Sequence, residues 1–252
     1  MSGHSPALLL LEIMTWESIS QPMKDLMFAA PGGMSLGYEL FGKLRISAGS
    51  RVLDLTPGNG IAGAVAAKQF KCRVHMLAEN DRQTEEIPAL AAGFDIDHQV
   101  EITTGNPASM PFPSDHFGSV YSIAFPTGVS LTPVIVRELY RVTEPGGFVG
   151  LAGPAGLKNE TPPHMETALR TMRSGNLKTP ALTALKLAYG GFHIISAEYM
   201  ADSYSHWLEW LNSAPKDLIT DIFRRAVIED NGNWLALGLV IVKKPLKPDW
   251  AL

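Results

Sequence analysis

Arg51-Val52-Leu53-Asp54-Leu55-Thr56-Pro57-Gly58-Asn59-Gly60 is the stretch whose reading decides the fold. Arg51 to Leu55 reads as an apolar strand carrying an acid near its end, and the glycines that follow open a turn. Behind the turn, Ile61-Ala62-Gly63-Ala64-Val65-Ala66-Ala67 is a run of small residues, which lets a helix pack closely on a sheet. Main-chain N–H groups at a helix N-terminus have no intrahelical partner, so a polar ligand can lie against them. Asp54, at the carboxyl end of the strand, is expected to face the crevice where open α/β sheets hold ligands. The same pattern also describes an ordinary strand-to-helix turn, so its meaning depends on what surrounds it.

Working outward, strands and helices alternate. Val74 to Ala78 reads as a second strand, Thr84 to Gly93 as a helix, Val100 to Thr103 as a third strand and Gly118 to Phe125 as a fourth. Pro133 to Arg141 is a helix, and Gly147 to Ala152 a fifth strand after the Pro145-Gly146-Gly147 turn. These strands are apolar on both faces, as in a parallel sheet covered by helices and wound by right-handed crossovers. Gly153 to Pro163 reads as a loop, Met165 to Met172 and Ala181 to Ala188 as helices. His193 to Tyr199 and Trp234 to Val242 close the sheet, the latter antiparallel at or near its edge. Ahead of the core, Leu8 to Phe28 reads as one or two short helices, and Met34 to Leu44 as a helix with Leu36, Leu40, Phe41 and Leu44 on one face. The expected organisation is an N-terminal helical cap or lid over residues 1–45 and an α/β domain over 46–252 with a helical insertion around 155–190.

A chain of 252 residues suits one domain of moderate size with a full core. Its 21 Lys+Arg and 25 Asp+Glu give a net charge of -4 with no basic run, so the expected partner is a small molecule and not nucleic acid. The apolar stretch Ala7 to Leu11 is too short to span a bilayer and lacks the basic flank of a signal peptide, so neither membrane nor export is expected. A single cysteine, Cys72, rules out an internal disulfide and reads as a buried, inert thiol, which suits a cytoplasmic setting. No histidine pair has helical metal-ligand spacing, and no metal is expected.

Three segments in this order resemble the class I S-adenosylmethionine-dependent methyltransferases of the small-molecule type. Val52 to Gly60 looks like the first family motif, Gly105-Asn106-Pro107 through Phe117 like the segment before strand four, and Glu138 to Gly147 like the helix and turn before strand five. The resemblance covers about Pro31 to Pro154. It implies a doubly wound, mostly parallel seven-stranded sheet of Rossmann-like type and a methyl transfer from S-adenosylmethionine to a small acceptor. Residue by residue, it implies that Asp54, Thr56, Pro57, Gly58, Asn59 and Gly60 hold the amino-acid end of the cofactor. Glu79 would take both ribose hydroxyls, since a carboxylate offers two acceptor oxygens. Asn106 and Pro107 would lie beside the adenine, with the Asn106 amide oxygen accepting from its exocyclic amine. Ala124 and Phe125 would border the methyl group and its acceptor.

The chain departs from the family pattern at several points. Thr56 and Pro57 stand where a glycine and a small residue are usual. Ala78 stands where the acid after strand two is expected, with Glu79 one step later, so Glu79 serves only if the strand bulges or the chain has left the sheet. Asn106 and Gly118 replace aspartates. These changes keep two alternatives open: the same fold with a different methyl donor or carrier such as a folate, and a non-catalytic methyltransferase-like binding subunit.

Methyl transfer from a sulfonium is an in-line displacement that chiefly needs alignment and exclusion of water. An alcohol or phenol acceptor also needs a base. His4, Glu17, His164 and His206 are unranked candidates for it, each with the ordinary alternative of an exposed polar residue. Trp16, Met34, Tyr38, Phe125, His164, Tyr204 and Trp207 are candidate acceptor-pocket residues, aromatic faces being attractive to the sulfonium charge. For most of them a place in the core is the common alternative. His98 and His116 read as solvated. The sequence leaves the catalytic residue, the acceptor and homo-oligomerisation open.

Overall fold

A computed structural model of the chain describes residues 31–58, 60–80, 84–85, 87–88, 96–123, 131–172, 175–214 and 219–246. Its sheet has seven strands: β1 (Arg51–Asp54), β2 (Arg73–Ala78), β3 (Val100–Thr104), β4 (Phe117–Ile123), β5 (Thr143–Gly156), β6 (His193–Tyr199) and β7 (Leu235–Lys243). They lie in the order β3-β2-β1-β4-β5-β7-β6. The first five are parallel, and β7 runs antiparallel to both β5 and β6. This is the expected doubly wound sheet, and the antiparallel strand sits one place in from the edge. The winding reverses between β1 and β4, which sets a crevice at their carboxyl ends.

Seven helices are described: α1 (Gly33–Lys43), α2 (Ile61–Phe70), α3 (Pro133–Val142), α4 (Pro163–Thr171), α5 (Pro180–Tyr189), α6 (Ser203–Ser213) and α7 (Asp221–Asp230). Several begin on expected signals. Thr132, Thr179 and Thr220 each accept the main-chain N–H three residues on, and a proline opens α3 and α5. The apolar face of α1 (Leu36, Leu40, Phe41) and the adjoining Leu44 are buried as read, against β5. A Cβ at Gly150 on β5 would lie 2.8 Å from both Leu40 and Leu44, so a larger residue there would push α1 away. The small residues of α2 serve the same end, for a Cβ at Gly63 would fall 2.2 Å from the Met76 Cε. Cys72 is buried as expected, its thiol donating to the Ala66 carbonyl at 3.4 Å, and burial pushes it up to about 11.

Two readings are corrected. Gly153 to Pro163 is not a loop throughout, because β5 runs on to Gly156 by pairing Gly153–Gly156 with Gly238–Leu235 of β7. Tertiary pairing supplies the hydrogen bonds that glycine and proline propensities argue against. Between β6 and β7 the sequence reading placed no helix, yet α6 and α7 stand there. They bury Trp207, Trp210, Phe223 and Val227 together with Met165 and Leu169 of α4 against the amino-terminal half of β7. The helix read over Thr84 to Gly93 is helical at 84–85 and 87–88. Its remainder, the end of strand four at Phe125 and the helices read over Leu8 to Phe28 lie outside the described residues.

Candidate functional site

The carboxyl ends of β1 and β4 are tied together by the turn that follows β1. Thr56 Oγ1 donates to the Ile123 carbonyl at 3.0 Å and has a single proton, so Ser122 Oγ, 2.8 Å away, donates to it. Thr56 therefore staples the turn to the neighbouring strand. Gly60 N–H donates to the Pro57 carbonyl at 2.6 Å, closing the turn, and Gly60 takes φ +85° as the N-cap of α2. A side chain at that left-handed position would be strained, and its Cβ would also meet Ile87 at 3.0 Å. Gly58 is different: it is exposed at φ +54°, and a Cβ there would meet nothing within 4 Å. Among the described residues, the space on the side-chain side of Gly58 is open.

Asp54 lies beneath this turn and not in the open crevice. It is fully buried; Tyr121 donates its hydroxyl to Oδ2 at 2.7 Å and the Thr56 N–H donates to Oδ1 at 3.0 Å. Burial pushes its carboxyl up to about 7 against the lowering effect of those two donors, and burial beside Asp54 holds the Tyr121 hydroxyl well above its ordinary range. The pair supports the turn from below. Tyr121 is in turn set edge-on to Phe41 of α1, with ring centroids 5.0 Å apart.

On the flank of the crevice, β2 ends at Ala78, and Glu79 and Asn80 follow as exposed bend residues. The one-residue offset is resolved by the chain leaving the sheet, so Glu79 is not turned into the interior. Asn106 is exposed, but its amide oxygen, expected to meet the adenine amine, accepts the Ala108 N–H at 2.8 Å in a local turn. What it presents outward is the amide nitrogen and the remaining lone pair. Pro107 is buried beside it. This loop is held by Arg141, which donates to the Phe112 and Met110 carbonyls at 2.6 and 2.9 Å, while Glu138 accepts the Met110 N–H.

Helix α1 passes over the end of β4, with Gly37 packed against Ile123, and carries Met34 and Tyr38, both half-buried. Trp207 is a core residue, 3% exposed, donating its ring N–H to the Ala236 carbonyl. Tyr204 is half-buried beside Gly232, and His206 lies 3.5 Å from the exposed Glu209 carboxylate. His164, at the start of α4, is brought against the buried Asp230 at the end of α7. Asn59, Ala124, Phe125, Trp16, His4 and Glu17 lie outside the described residues. The sequence reading missed Tyr121, Ser122 and Asp230. The first two matter through strand register alone, Tyr121 pairing with Asp54. Asp230 was legible in principle, since Phe223, Ala226, Val227 and Asp230 follow helical spacing behind the Thr220 cap.

Residues 53–151, which run from β1 through the turn and β4 into β5, match the family model of a methyltransferase domain. Over this segment the chain is similar to the S-adenosylmethionine-dependent methyltransferases. It is 27% identical over 205 residues to a glycine/sarcosine/dimethylglycine N-methyltransferase of Actinopolyspora halophila, a match covering 78% of this chain and 36% of that protein. It is 28% identical over 109 residues to a sterol 24-C-methyltransferase of Candida albicans, covering 43% and 29%. The matches thus span about a third of the length of these curated relatives. Among solved structures, geranyl diphosphate C-methyltransferase from Streptomyces coelicolor superposes with a TM-score of 0.72 at 17% identity, covering 84% of this chain and 76% of that one. Among the described residues no helix is long and apolar enough to cross a membrane.

Proposed function

We propose that the chain transfers the methyl group of S-adenosylmethionine to a small-molecule acceptor. The observation that carries this reading is the glycine turn itself, which stands at the reversal between β1 and β4, at the head of α2, with the space on the side-chain side of Gly58 open among the described residues. The residues present suit the cofactor. Gly58 and Gly60 let a polar ligand lie against the turn, Glu79 beyond β2 offers two acceptor oxygens for a ribose, and Asn106 and Pro107 border an adenine. When bound, the cofactor supplies an electrophilic methyl group on a sulfonium.

The protein's own share of the work is alignment. Asp54 and Tyr121 support the turn from beneath, and Thr56 locks it to β4. On this reading residues 1–45 act as a lid, and the helical segment around 155–190 flanks the acceptor side. We also place the chain in the cytoplasm, a reading supported by its single cysteine, a buried thiol. Isothermal titration with S-adenosylmethionine tests the proposal, followed by transfer of labelled methyl to a panel of amines, alcohols, thiols and alkenes. Micromolar binding with label in an acceptor is the expected result. No binding up to millimolar cofactor would overturn it.

A further inference from the structure

A groove of about 560 Å³ lies between α3 and α5, on the face of the sheet opposite α1 and α2. Leu131, Pro133, Val136 and Gly190 give it an apolar lining. A Cβ at Gly190 would collide with the Val136 side chain, so the end of α5 rests directly on α3 there. Grooves of this size, mostly apolar with a few polar groups, are what small organic molecules occupy. Its described lining includes no residue of the Gly58 turn, and neither Glu79 nor Asn106.

Two cations line the same groove, Arg137 of α3 and the half-buried Lys186 of α5. Neither has an ion-pair or hydrogen-bond partner among the described residues. Helix α5 contains no acid, and Glu138, the one acid of α3, is held by Arg141 and the Met110 N–H. A chain of net charge -4 thus keeps two uncompensated positive charges in one apolar groove. The carbonyl end of α5 carries about half a negative charge, which Lys186 alone more than offsets. Charge held against apolar walls is stabilised by an opposite charge brought to it. Pro133 has no N–H to give and Thr132 takes that of Ile135, so the start of α3 offers little main chain to cradle a phosphate. Recognition falls to two side-chain charges, which suit a carboxylate. Tyr189, on the rim, is 92% exposed and lies three residues after Lys186 on the same face of α5. Its ring is open to stacking by an aromatic ligand.

We infer that the groove between α3 and α5 binds a small aromatic carboxylate, its ring on the apolar lining against Tyr189 and its charge on Arg137 and Lys186. None of these residues is among those proposed to hold the cofactor, so binding here does not depend on methyl transfer.

The test compares 2-naphthoate with 2-naphthamide, which keeps the ring and the shape and loses the charge. Binding to the full chain is measured at pH 7 by ligand-observed NMR, with and without saturating S-adenosylhomocysteine. The parent protein should bind naphthoate about tenfold more tightly than the amide in low salt, and the preference should shrink in high salt. Replacing both cations, Arg137→Met with Lys186→Met, should lower naphthoate affinity to that of the amide and leave amide binding as it was. Tyr189→Ala should weaken both compounds about fivefold. In the unmutated protein, naphthoate ring protons should give NOEs to the Tyr189 ring and the Val136 methyl groups. Equal binding of naphthoate and amide, a preference that survives the double substitution, NOEs to other residues alone, competition with S-adenosylhomocysteine, or no binding of either compound at millimolar concentration would overturn the inference. Failure of S-adenosylhomocysteine to bind, with the naphthoate preference intact, would count against the methyl-transfer proposal alone.

Discussion

The two buried carboxylates at the carboxyl edge of the sheet, Asp54 and Asp230, look alike in the sequence and differ in what surrounds them. Asp54 accepts one main-chain N–H and one hydroxyl from a tyrosine that is itself fully buried. Two donors do not offset full burial, so the proton stays on to about pH 7 and the group serves as neutral support for the turn above it. Asp230 accepts two main-chain N–H groups and lies against a half-open imidazole. The donors around a buried acid decide which parts of the chain it holds together. In the parallel half the acid supports the turn after β1, and in the antiparallel half it caps the start of β7.

That contrast can be broken by mutation, and the largest effect is expected at Asp230. Asp230→Ala strands two main-chain N–H groups at the start of β7 and should cost about 4 kcal/mol in urea unfolding. A loss below 1 kcal/mol would mean that the cap is not what orders the ribbon.

Asp54 should behave in the opposite sense. Its folded-state pKa lies at about 7 against an ordinary 3.8, so the folded protein binds more protons between those values. Stability therefore falls as pH rises from about 4 to about 7. Asp54→Asn should remove that slope, matching the parent below pH 4 and exceeding it above pH 7 by on the order of 4 kcal/mol. Thermal unfolding across pH 3 to 8 reads this directly, and parallel curves for the two proteins would refute the neutral-support role.

Smaller effects sharpen the picture at the turn. Thr56→Ala removes both bonds to β4 and should cost about 1–2 kcal/mol of stability. Glu79→Gln is exposed and should leave the melting temperature unchanged while weakening S-adenosylmethionine about tenfold in titration calorimetry, close to 1.4 kcal/mol. Equal cofactor affinity in parent and variant would remove Glu79 from the site.

Much of the parallel half was legible because its signals are local. The apolar strand, the glycine turn and the small-residue helix each follow from residues within a few positions of one another, and β1, α2 and β2 stand where they were read. Legibility ended where partners come from afar. Gly153-Pro154-Ala155-Gly156 carries turn residues and is strand only because β7 pairs with it. Trp207 has the chemistry of a pocket wall, but α4, α6 and α7 pack around it and make it core.

By itself, the sequence determined the alternating elements, the order that implies a parallel sheet and the position of the glycine turn after β1, since periodicity and turn chemistry act over short separations along the chain. Tertiary structure alone decided that Asp54 is sealed under Tyr121, that Thr56 bonds across to Ser122 and Ile123, and that His164 meets Asp230 from 66 residues away. The reason is that burial and hydrogen-bond partnership are properties of neighbours in space. Strand register and helix packing choose those neighbours, and no short stretch of sequence contains them.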